Sequence, residues 1–275
     1  MNGDVIEFDA ALRTIDTKWI DTPTSRQILH LLQCCQSEGT LGIVRGGFGI
    51  GKSHCFGHYA GRHERDVLFV TLDPTAGSLT AGLGAIAEIA GRLAPWSGLH
   101  GAAERLISYR HFAVFRALQR FFEDLHDNGL RPLLIVDEAQ HARPDLLDAL
   151  RDFSDRQLCG LVIGGNYRLF DPRRGRGRDA DFGALQSRAV HFLELPHPTD
   201  ADISAVLNAY GVRGGGAHAL LQDRAATGGL REIINIIRKA RLLSRGGTVG
   251  DREIKAAAAT TGSGGRSVTR RGRSK

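Results

Sequence analysis

The feature that most constrains this chain is the segment "GIVRGGFGIGKSHCFGHYA" at residues 42–60. It contains Gly46, four further residues and then Gly51-Lys52-Ser53, with a short apolar run before it and a helical pattern after it. Glycines let backbone N–H groups turn toward phosphate oxygens, and the start of a helix adds the positive end of its dipole. The segment therefore predicts a phosphate-binding loop between a buried strand and a helix.

The rest of the chain repeats this alternation of strand and helix. Apolar runs typical of strands buried on both faces occur at residues 40–46, 66–72, 131–140, 159–166 and 189–195. Helical patterns separate most of these runs, and the first helix, at residues 22–37, has Thr24 or Ser25 as its expected cap. We expect an α/β fold with a parallel five-stranded sheet and helices on both faces.

The pattern changes after Pro196, where every further segment is helical. The predicted organisation is an N-terminal extension, an α/β domain, a small all-helical domain and a basic disordered tail, over residues 1–21, 22–197, 198–260 and 261–275. The tail has five positive charges and no acid, which leaves a net charge of only +1 on residues 1–261 of a chain with a net charge of +6. Clustered arginines favour contact with a nucleic-acid backbone, and a solubilising tail is the alternative.

Composition excludes several other classes of protein. No apolar run approaches the roughly 20 residues that a membrane-spanning helix needs, and the first residues lack the apolar core of a signal peptide. We therefore expect a cytoplasmic protein with no membrane partner. Cys34, Cys35, Cys55 and Cys159 form no metal-binding or disulfide spacing, so we expect reduced thiols and no zinc.

An acidic pair follows the third predicted strand, about 85 residues after the phosphate loop. In "LLIVDEAQ", Asp137 stands at the carboxyl end of the strand, where α/β sheets place their ligands, and Glu138 follows it. A carboxylate there can hold Mg²⁺ together with Ser53, while Lys52 reaches the β- and γ-phosphates. Glu138 is placed to act as the general base that polarises an attacking water. The sequence thus predicts nucleotide hydrolysis with ATP and Mg²⁺ as cofactors.

Two more polar residues fit the same chemistry. Asn166 ends the fourth strand in "LVIGGN" and could orient the water together with Glu138, the alternative being a helix cap or turn residue. Arg231 lies just after Gly228-Gly229 in "TGGLREIINIIRKA" and could contact the nucleotide's phosphates, the alternative being a solvated helix arginine.

The motifs "GGFGIGKS", "LLIVDEAQH", "LVIGGN", "LQSRAVHFLELP" and "TGGLREIINIIRKA", in this order, resemble those of AAA+ ATPases. Within that class they look most like the phage Mu B transposition proteins and the TnsC-like transposition regulators. The resemblance covers about residues 22–260 and implies that the helical domain is a lid.

The resemblance also implies roles for individual residues. Asp137 and Glu138 match Walker B, Asn166 matches sensor 1, Arg231 matches sensor 2, and Arg188 falls where a candidate arginine finger lies, with Arg173 and Arg174 as runners-up. Walker A and its neighbours, expected to hold the nucleotide, comprise Gly46, Gly47, Phe48, Gly49, Ile50, Gly51, Lys52, Ser53 and His54.

The function that the resemblance implies is an ATP-dependent regulator of DNA transposition. It would oligomerise as a ring or filament on double-stranded DNA with ATP, recruit a transposase, and disassemble on hydrolysis. The alternatives are a helicase loader similar to DnaC or IstB, a nucleotide-gated adaptor with little hydrolysis, and a secretion-type ATPase, which the lack of a membrane segment after the lid disfavours.

The candidate DNA contacts are arginines in three basic segments. The first segment follows the predicted helix at 77–94, the second is the loop 171–182, for which a solvated charged loop or a subunit contact are alternatives, and the third is the tail. The residues are Arg105, Arg110, Arg173, Arg174, Arg176, Arg266, Arg270, Arg271 and Arg273. Since no helix is suited to reading base edges, we expect contacts mostly to the backbone and little sequence preference.

Overall fold

The computed structural model describes residues 19–93, 111–170, 185–244 and 248–261. These residues form two compact units, one from Asp21 to His197 and the other from Pro198 onward together with residues 19–20. Within the described ranges, no helix has the length and apolarity needed to cross a membrane.

The first unit alternates helices and strands. Its helices are α1 (Pro23–Glu38), α2 (Lys52–Arg62), α3 (Leu79–Leu93), α4 (His111–Asp127) and α5 (Pro144–Asp155). Its strands are β1 (Leu41–Gly46), β2 (Val67–Thr71), β3 (Leu133–Asp137), β4 (Gly160–Gly165) and β5 (His191–Leu195). Short 3₁₀ turns follow β3 at Ala139–His141 and β4 at Tyr167–Phe170.

The five strands form one parallel sheet in the order β2-β3-β4-β1-β5. Every residue of β3 and β4 is buried, because α1 packs beside β1, β4 and β5 and α2 packs beside β2 and β3, while α3, α4 and α5 form a second helical group. The predicted fold class, a parallel five-stranded sheet with helices, is confirmed. This order places the carboxyl ends of β1, β3 and β4 side by side.

The first helix begins at Pro23, two residues earlier than a cap at Thr24 would give and three earlier than a cap at Ser25. Thr22 is the N-cap: its Oγ1 accepts a hydrogen bond from the Ser25 N–H at 3.1 Å, and the Ser25 hydroxyl accepts one from the Thr22 N–H at 2.8 Å. Thr24 is not the cap, and Ser25 is only the reciprocal partner in a capping box. Pro23 explains the difference, since its fixed φ suits the first helical position.

The second unit is helical and has its own apolar core. It contains α6 (Asp200–Ala209), α7 (Gly215–Leu243) and α8 (Asp251–Thr260), packed around Ile233, Ile236 and Ile237. Two helices that meet after Gly229 were expected where α7 lies. The helical backbone of α7 is interrupted at that residue, whose φ of 67° and ψ of −167° are accessible to glycine and strained for other residues.

Candidate functional site

The phosphate loop, residues 46–53, connects β1 to α2 as the sequence predicted. Lys52 is buried, and its Nζ donates hydrogen bonds to the carbonyl oxygens of Gly46 at 2.9 Å and Gly47 at 2.8 Å. Gly51, with φ of 104°, precedes the helix, and no side-chain hydrogen bond caps α2. The loop thus presents an ammonium group and the positive end of a helix dipole at the same place, which suits an anion.

The side chains of the phosphate loop differ strongly in exposure. Ile50 is buried in the core, whereas Phe48 is 70% exposed at the tip of the loop and Ser53 and His54 are exposed on the first turn of α2. Only Lys52 is both charged and buried. It is therefore the loop side chain whose charge is least screened by solvent.

Asp137 ends β3 beside this loop and is fully buried. Its Oδ1 accepts a hydrogen bond from the Glu138 N–H at 2.8 Å, whereas Oδ2 makes none of normal geometry with the described residues. Burial raises the pKa of the Asp137 carboxyl group, and the nearby Ser53 hydroxyl, the Glu138 N–H and the Lys52 charge act in the opposite direction.

This carboxyl group has the properties of a cation ligand. A buried carboxylate oxygen without a hydrogen bond is costly unless a positive charge compensates it. Mg²⁺ prefers such oxygen ligands, and the Ser53 side chain lies against the same carboxyl group. The residues present therefore fit a magnesium ion held by Ser53 and Asp137.

The next residues form a chain of hydrogen bonds that links two strand ends. Glu138 has a φ of 54°, which is uncommon for a residue other than glycine. Its Oε2 accepts a hydrogen bond from the Gln140 Nε2, and the Gln140 Oε1 accepts one from the Asn166 N–H at 3.2 Å. Asn166 is thus joined to Glu138 through Gln140.

The Asn166 side chain has a local role of its own. Its Oδ1 accepts a hydrogen bond from the Arg168 N–H at 2.8 Å, so that it caps the 3₁₀ turn after β4. This is the turn role that the sequence left open as an alternative. The residue also lies beside the Glu138–Gln140 pair, which is compatible with the predicted sensor role.

Close packing at the end of β4 requires its two glycines. A Cβ atom on Gly164 would lie 2.4 Å from the Phe56 ring and 3.1 Å from the Asp137 Oδ1. A Cβ atom on Gly165 would lie 3.0 Å from the Gln140 Oε1. These glycines belong to a strand rather than to a turn, and they let β4 approach the acidic residues.

The two predicted arginines lie in different units of the molecule. Arg188 precedes β5, and its Nη1 lies 2.9 Å from the Asp155 Oδ2 at the end of α5. It therefore stands at the amino edge of the sheet, whereas the phosphate loop is at the carboxyl edge. Arg231 is exposed on α7, in the other compact unit, just after the break at Gly229.

The remaining candidates lie outside the described residues. They are all the predicted DNA contacts, namely Arg105, Arg110, Arg173, Arg174, Arg176, Arg266, Arg270, Arg271 and Arg273. The N-terminal extension, up to residue 18, and the basic tail, from residue 262, lie outside as well.

The four cysteines are free thiols, and Cys35, Cys55 and Cys159 are buried. Burial raises the pKa of the Cys35 thiol to about 12, so it is protonated and unreactive at neutral pH. Cys34 is partly exposed and lies within 4.8 Å of the Glu38 and His191 donor atoms. An ion pair of 2.9 Å between His191 and Glu38 accounts for this proximity.

Sequence reasoning missed Gln140. It is buried although it is polar, and it connects Glu138 to Asn166. A glutamine two residues after the acidic pair was visible in "DEAQH", but its partner lies 26 residues away and depends on which strand is the neighbour of β3. The local pattern could not supply that partner.

Comparison with known proteins identifies the class. Residues 35–171 match a family model described as an AAA domain. These residues contain the phosphate loop, the Asp137-Glu138 pair and Asn166, so the match covers the whole carboxyl-edge cluster. Residues 35–171 are thus similar to the AAA domain family, and this similarity supports a nucleotide as the ligand of the site.

The sequence relatives indicate which proteins this chain resembles in more detail. The chain is 28% identical over 218 residues to the ATP-dependent target DNA activator B of Escherichia phage Mu, a match that covers 79% of this chain and 64% of the relative. It is 29% identical over 231 residues to the Mu-like prophage FluMu DNA transposition protein B of Haemophilus influenzae, covering 78% and 74%. The predicted resemblance to Mu B transposition proteins is confirmed. The chain spans about 64% of the length of the phage relative.

Solved structures show the same fold in other organisms. The ORC2 protein of Aeropyrum pernix, solved in ADPNP-ADP complexes, superposes with a TM-score of 0.60 and 13% identity over 90% of this chain and 71% of that one. Cdc6p of Pyrobaculum aerophilum gives a TM-score of 0.55 and 14% identity over 84% and 65%. At this level of identity the likeness concerns the fold alone.

Proposed function

We propose that this protein is an ATP-dependent regulator of DNA transposition that assembles on double-stranded DNA with ATP and recruits a transposase. The observation that carries the ATP-dependent part is the cluster at the carboxyl edge of the sheet, where Lys52, Asp137 and Glu138 meet. The names of the relatives, a target DNA activator and a transposition protein, support the DNA-related part.

In this proposal each residue of the cluster has a chemical task. Lys52 binds the β- and γ-phosphates, and Ser53 and Asp137 hold Mg²⁺, which when bound balances the phosphate charge. Glu138 accepts the proton of the attacking water as the general base. Asn166 helps to orient that water, and Arg231 contacts the phosphates from the helical unit.

Assembly gives Arg188 its proposed task. It stands at the edge of the sheet opposite to its own phosphate loop, so it is not placed to serve that loop. In an oligomer of like subunits, we propose that it serves as the arginine finger for the nucleotide of a neighbour. Hydrolysis then removes the γ-phosphate that the finger contacts, which weakens the subunit interface and releases the DNA.

The DNA contacts of this proposal depend on the basic segments of the sequence. Since their arginines would contact phosphates, binding should weaken steeply with salt and depend little on sequence. Replacement of Arg266, Arg270, Arg271, Arg273 and Lys275 by serine should therefore lower DNA affinity and flatten the dependence of log K on log salt. An unchanged slope would remove the tail from the DNA interface.

Electron microscopy of the purified chain with duplex DNA and a slowly hydrolysed ATP analogue tests the assembly directly. We expect rings or filaments on DNA that require the nucleotide and that disappear in Lys52→Ala. Arg188→Ala, whose own phosphate loop is intact, should bind nucleotide but assemble without hydrolysis. Absence of any DNA-dependent oligomer in the wild type would refute the assembly part of the proposal.

A further inference from the structure

Among the residues that the structure describes, Gln140 is the one buried polar residue at the carboxyl edge to which the proposed function gives no task. It lies in the 3₁₀ turn after β3, and its side chain is 7% exposed. Its Nε2 donates a hydrogen bond to the Glu138 Oε2, and its Oε1 accepts one from the Asn166 N–H at 3.2 Å. One side chain thus joins the proposed general base to the end of the neighbouring strand.

The orientation of this amide follows from its partners. The Asn166 N–H can only donate, so it must face the oxygen of the Gln140 amide, and the carboxylate of Glu138 can only accept, so it faces the NH₂ group. A flipped amide would lose both hydrogen bonds. Gly165 leaves room for the Gln140 Oε1, because a Cβ atom on Gly165 would lie 3.0 Å from that oxygen.

We propose that Gln140 is a positioning residue for ATP hydrolysis, which fixes the Glu138 carboxylate through Oε2 and leaves Oε1 to accept the proton of water. In that step the water oxygen forms a bond to the γ-phosphorus and the bond from this phosphorus to the β–γ bridging oxygen breaks. ADP and phosphate leave, and the proton passes to the Glu138 Oε1. This inference rests on the proposed ATPase function of the same site.

A neutral amide suits this task better than a charged side chain would. Its NH₂ group donates a hydrogen bond to one oxygen of the Glu138 carboxylate and leaves the second oxygen available to a water. A carboxylate at the same position would offer Glu138 no N–H donor. The substitution Gln140→Glu, which is nearly isosteric, therefore separates positioning from packing.

Other charged groups near Glu138 stay the same in this variant. Asp137 is close enough for the Glu138 charge to raise the pKa of its carboxyl group, and Lys52 acts on the same carboxyl group in the opposite direction. His141 belongs to the same 3₁₀ turn as Gln140. None of these residues is altered in Gln140→Glu, so a fall in kcat reports the loss of the amide donor.

The test is steady-state ATP hydrolysis from pH 6 to pH 9 by the full chain, with Gln140→Met and Gln140→Glu beside the wild type. Gln140→Met keeps the volume and removes both hydrogen bonds, so we expect kcat to fall about 10- to 100-fold with KM for ATP within about twofold. For Gln140→Glu we expect kcat to fall by a similar factor across the whole pH range, because a carboxylate cannot donate the hydrogen bond that Glu138 accepts from the Gln140 amide.

Gln119→Glu is the matched control. Gln119 is also buried, and its Oε1 accepts a hydrogen bond from the Arg116 Nη1 at 3.0 Å on α4, so it undergoes the same chemical change away from the carboxyl edge. Its kcat and pH profile should equal those of the wild type. Binding of a fluorescent ATP analogue with the wild-type Kd shows that each variant is folded at the site.

The outcomes separate this inference from the proposed function. A Gln140→Glu profile that superposes on the wild type, or a Gln140→Met variant with unchanged kcat, overturns the positioning role. If the Gln140 variants lose nucleotide binding together with kcat, Gln140 has a structural role only, and the positioning role is overturned as well. A wild type that hydrolyses ATP without assembling on DNA refutes the proposed function only, whereas one that binds ATP without hydrolysis refutes both.

Discussion

The polar and charged side chains at the two edges of the parallel sheet differ in how deeply they are buried. At the carboxyl edge Lys52, Asp137, Gln140 and Asn166 are all buried. At the amino edge Arg188 pairs with Asp155 and His191 pairs with Glu38, and each of these four side chains is at least partly exposed.

This difference in burial indicates that the carboxyl edge is the one that carries the nucleotide site of the subunit. Buried charges cost free energy unless partners or ligands compensate them, so their concentration at one place points to a function that uses them. Exposed ion pairs contribute at most about 1 kcal/mol each and form readily on any charged surface. Substitutions at the carboxyl edge should therefore have large effects on nucleotide chemistry, and those at the amino edge small effects on stability.

Replacement of Lys52 should have the largest effect. Lys52→Ala removes the buried ammonium group of the phosphate loop, so affinity for ATP should fall at least about 100-fold. Titration with a fluorescent ATP analogue measures the change. Arg188→Ala, a cation removed from the other edge, is the control and should keep the wild-type Kd. If both variants lost ATP affinity equally, the two edges would not differ in their contribution to nucleotide binding.

Glu138→Gln should separate binding from hydrolysis. The amide keeps the shape of the side chain but cannot accept a proton from water, so kcat should fall about 100-fold or more while Kd for ATP changes less than about threefold. A phosphate-release assay and the fluorescent titration measure the two quantities. If this variant hydrolyses ATP at the wild-type rate, Glu138 is not the general base.

Asp137→Asn should stabilise the nucleotide-free protein in a pH-dependent manner. Burial raises the pKa of Asp137 in the folded state, so ionisation of this group opposes folding as pH rises above its unfolded pKa and through its folded pKa. The asparagine removes that loss, and we expect an unfolding free energy higher by about 1 kcal/mol at pH 7, with no gain near pH 3. Urea unfolding at both pH values checks this.

The same variant should respond less to magnesium. Loss of one carboxylate oxygen ligand should weaken the Mg²⁺-dependent part of nucleotide affinity about tenfold or more, which a titration with and without Mg²⁺ measures. A variant that is stabilised but keeps the full magnesium response would assign Asp137 to structure only.

Breaking the ion pair at the amino edge should have the smallest effect on stability. Arg188→Ala and Asp155→Ala should each change the unfolding free energy by less than about 1 kcal/mol, since Arg188 is largely exposed. A double-mutant cycle should give a coupling energy of about 0.5 kcal/mol or less. A coupling of several kcal/mol would show that the amino edge, too, depends on a strong charge pair.

Much of this molecule follows from short stretches of its sequence. The apolar runs, the Gly46-to-Ser53 motif and the acidic pair after β3 predicted the parallel sheet, the loop and the site that it carries. Local periodicity and backbone preferences suffice for these features, because each depends on residues that are close in the chain.

The errors at element ends have local causes as well. Thr22 rather than Thr24 or Ser25 caps α1, because Pro23 occupies the first helical position. The interruption of α7 falls at Gly229, where the sequence predicted a boundary between two helices. The error at α1 shifts the start of the helix by two or three residues and leaves the site unchanged.

The sequence by itself determined which residues are the candidates for binding phosphate, holding a cation and accepting a proton. Only the tertiary structure decided how they are joined. The order β2-β3-β4-β1-β5 sets the end of β4 between β1 and β3, so Asn166 meets Gln140 across 26 residues and Arg188 meets Asp155 across 33. The physical reason is that a hydrogen bond between distant residues depends on which strands are neighbours, and no local pattern specifies that order.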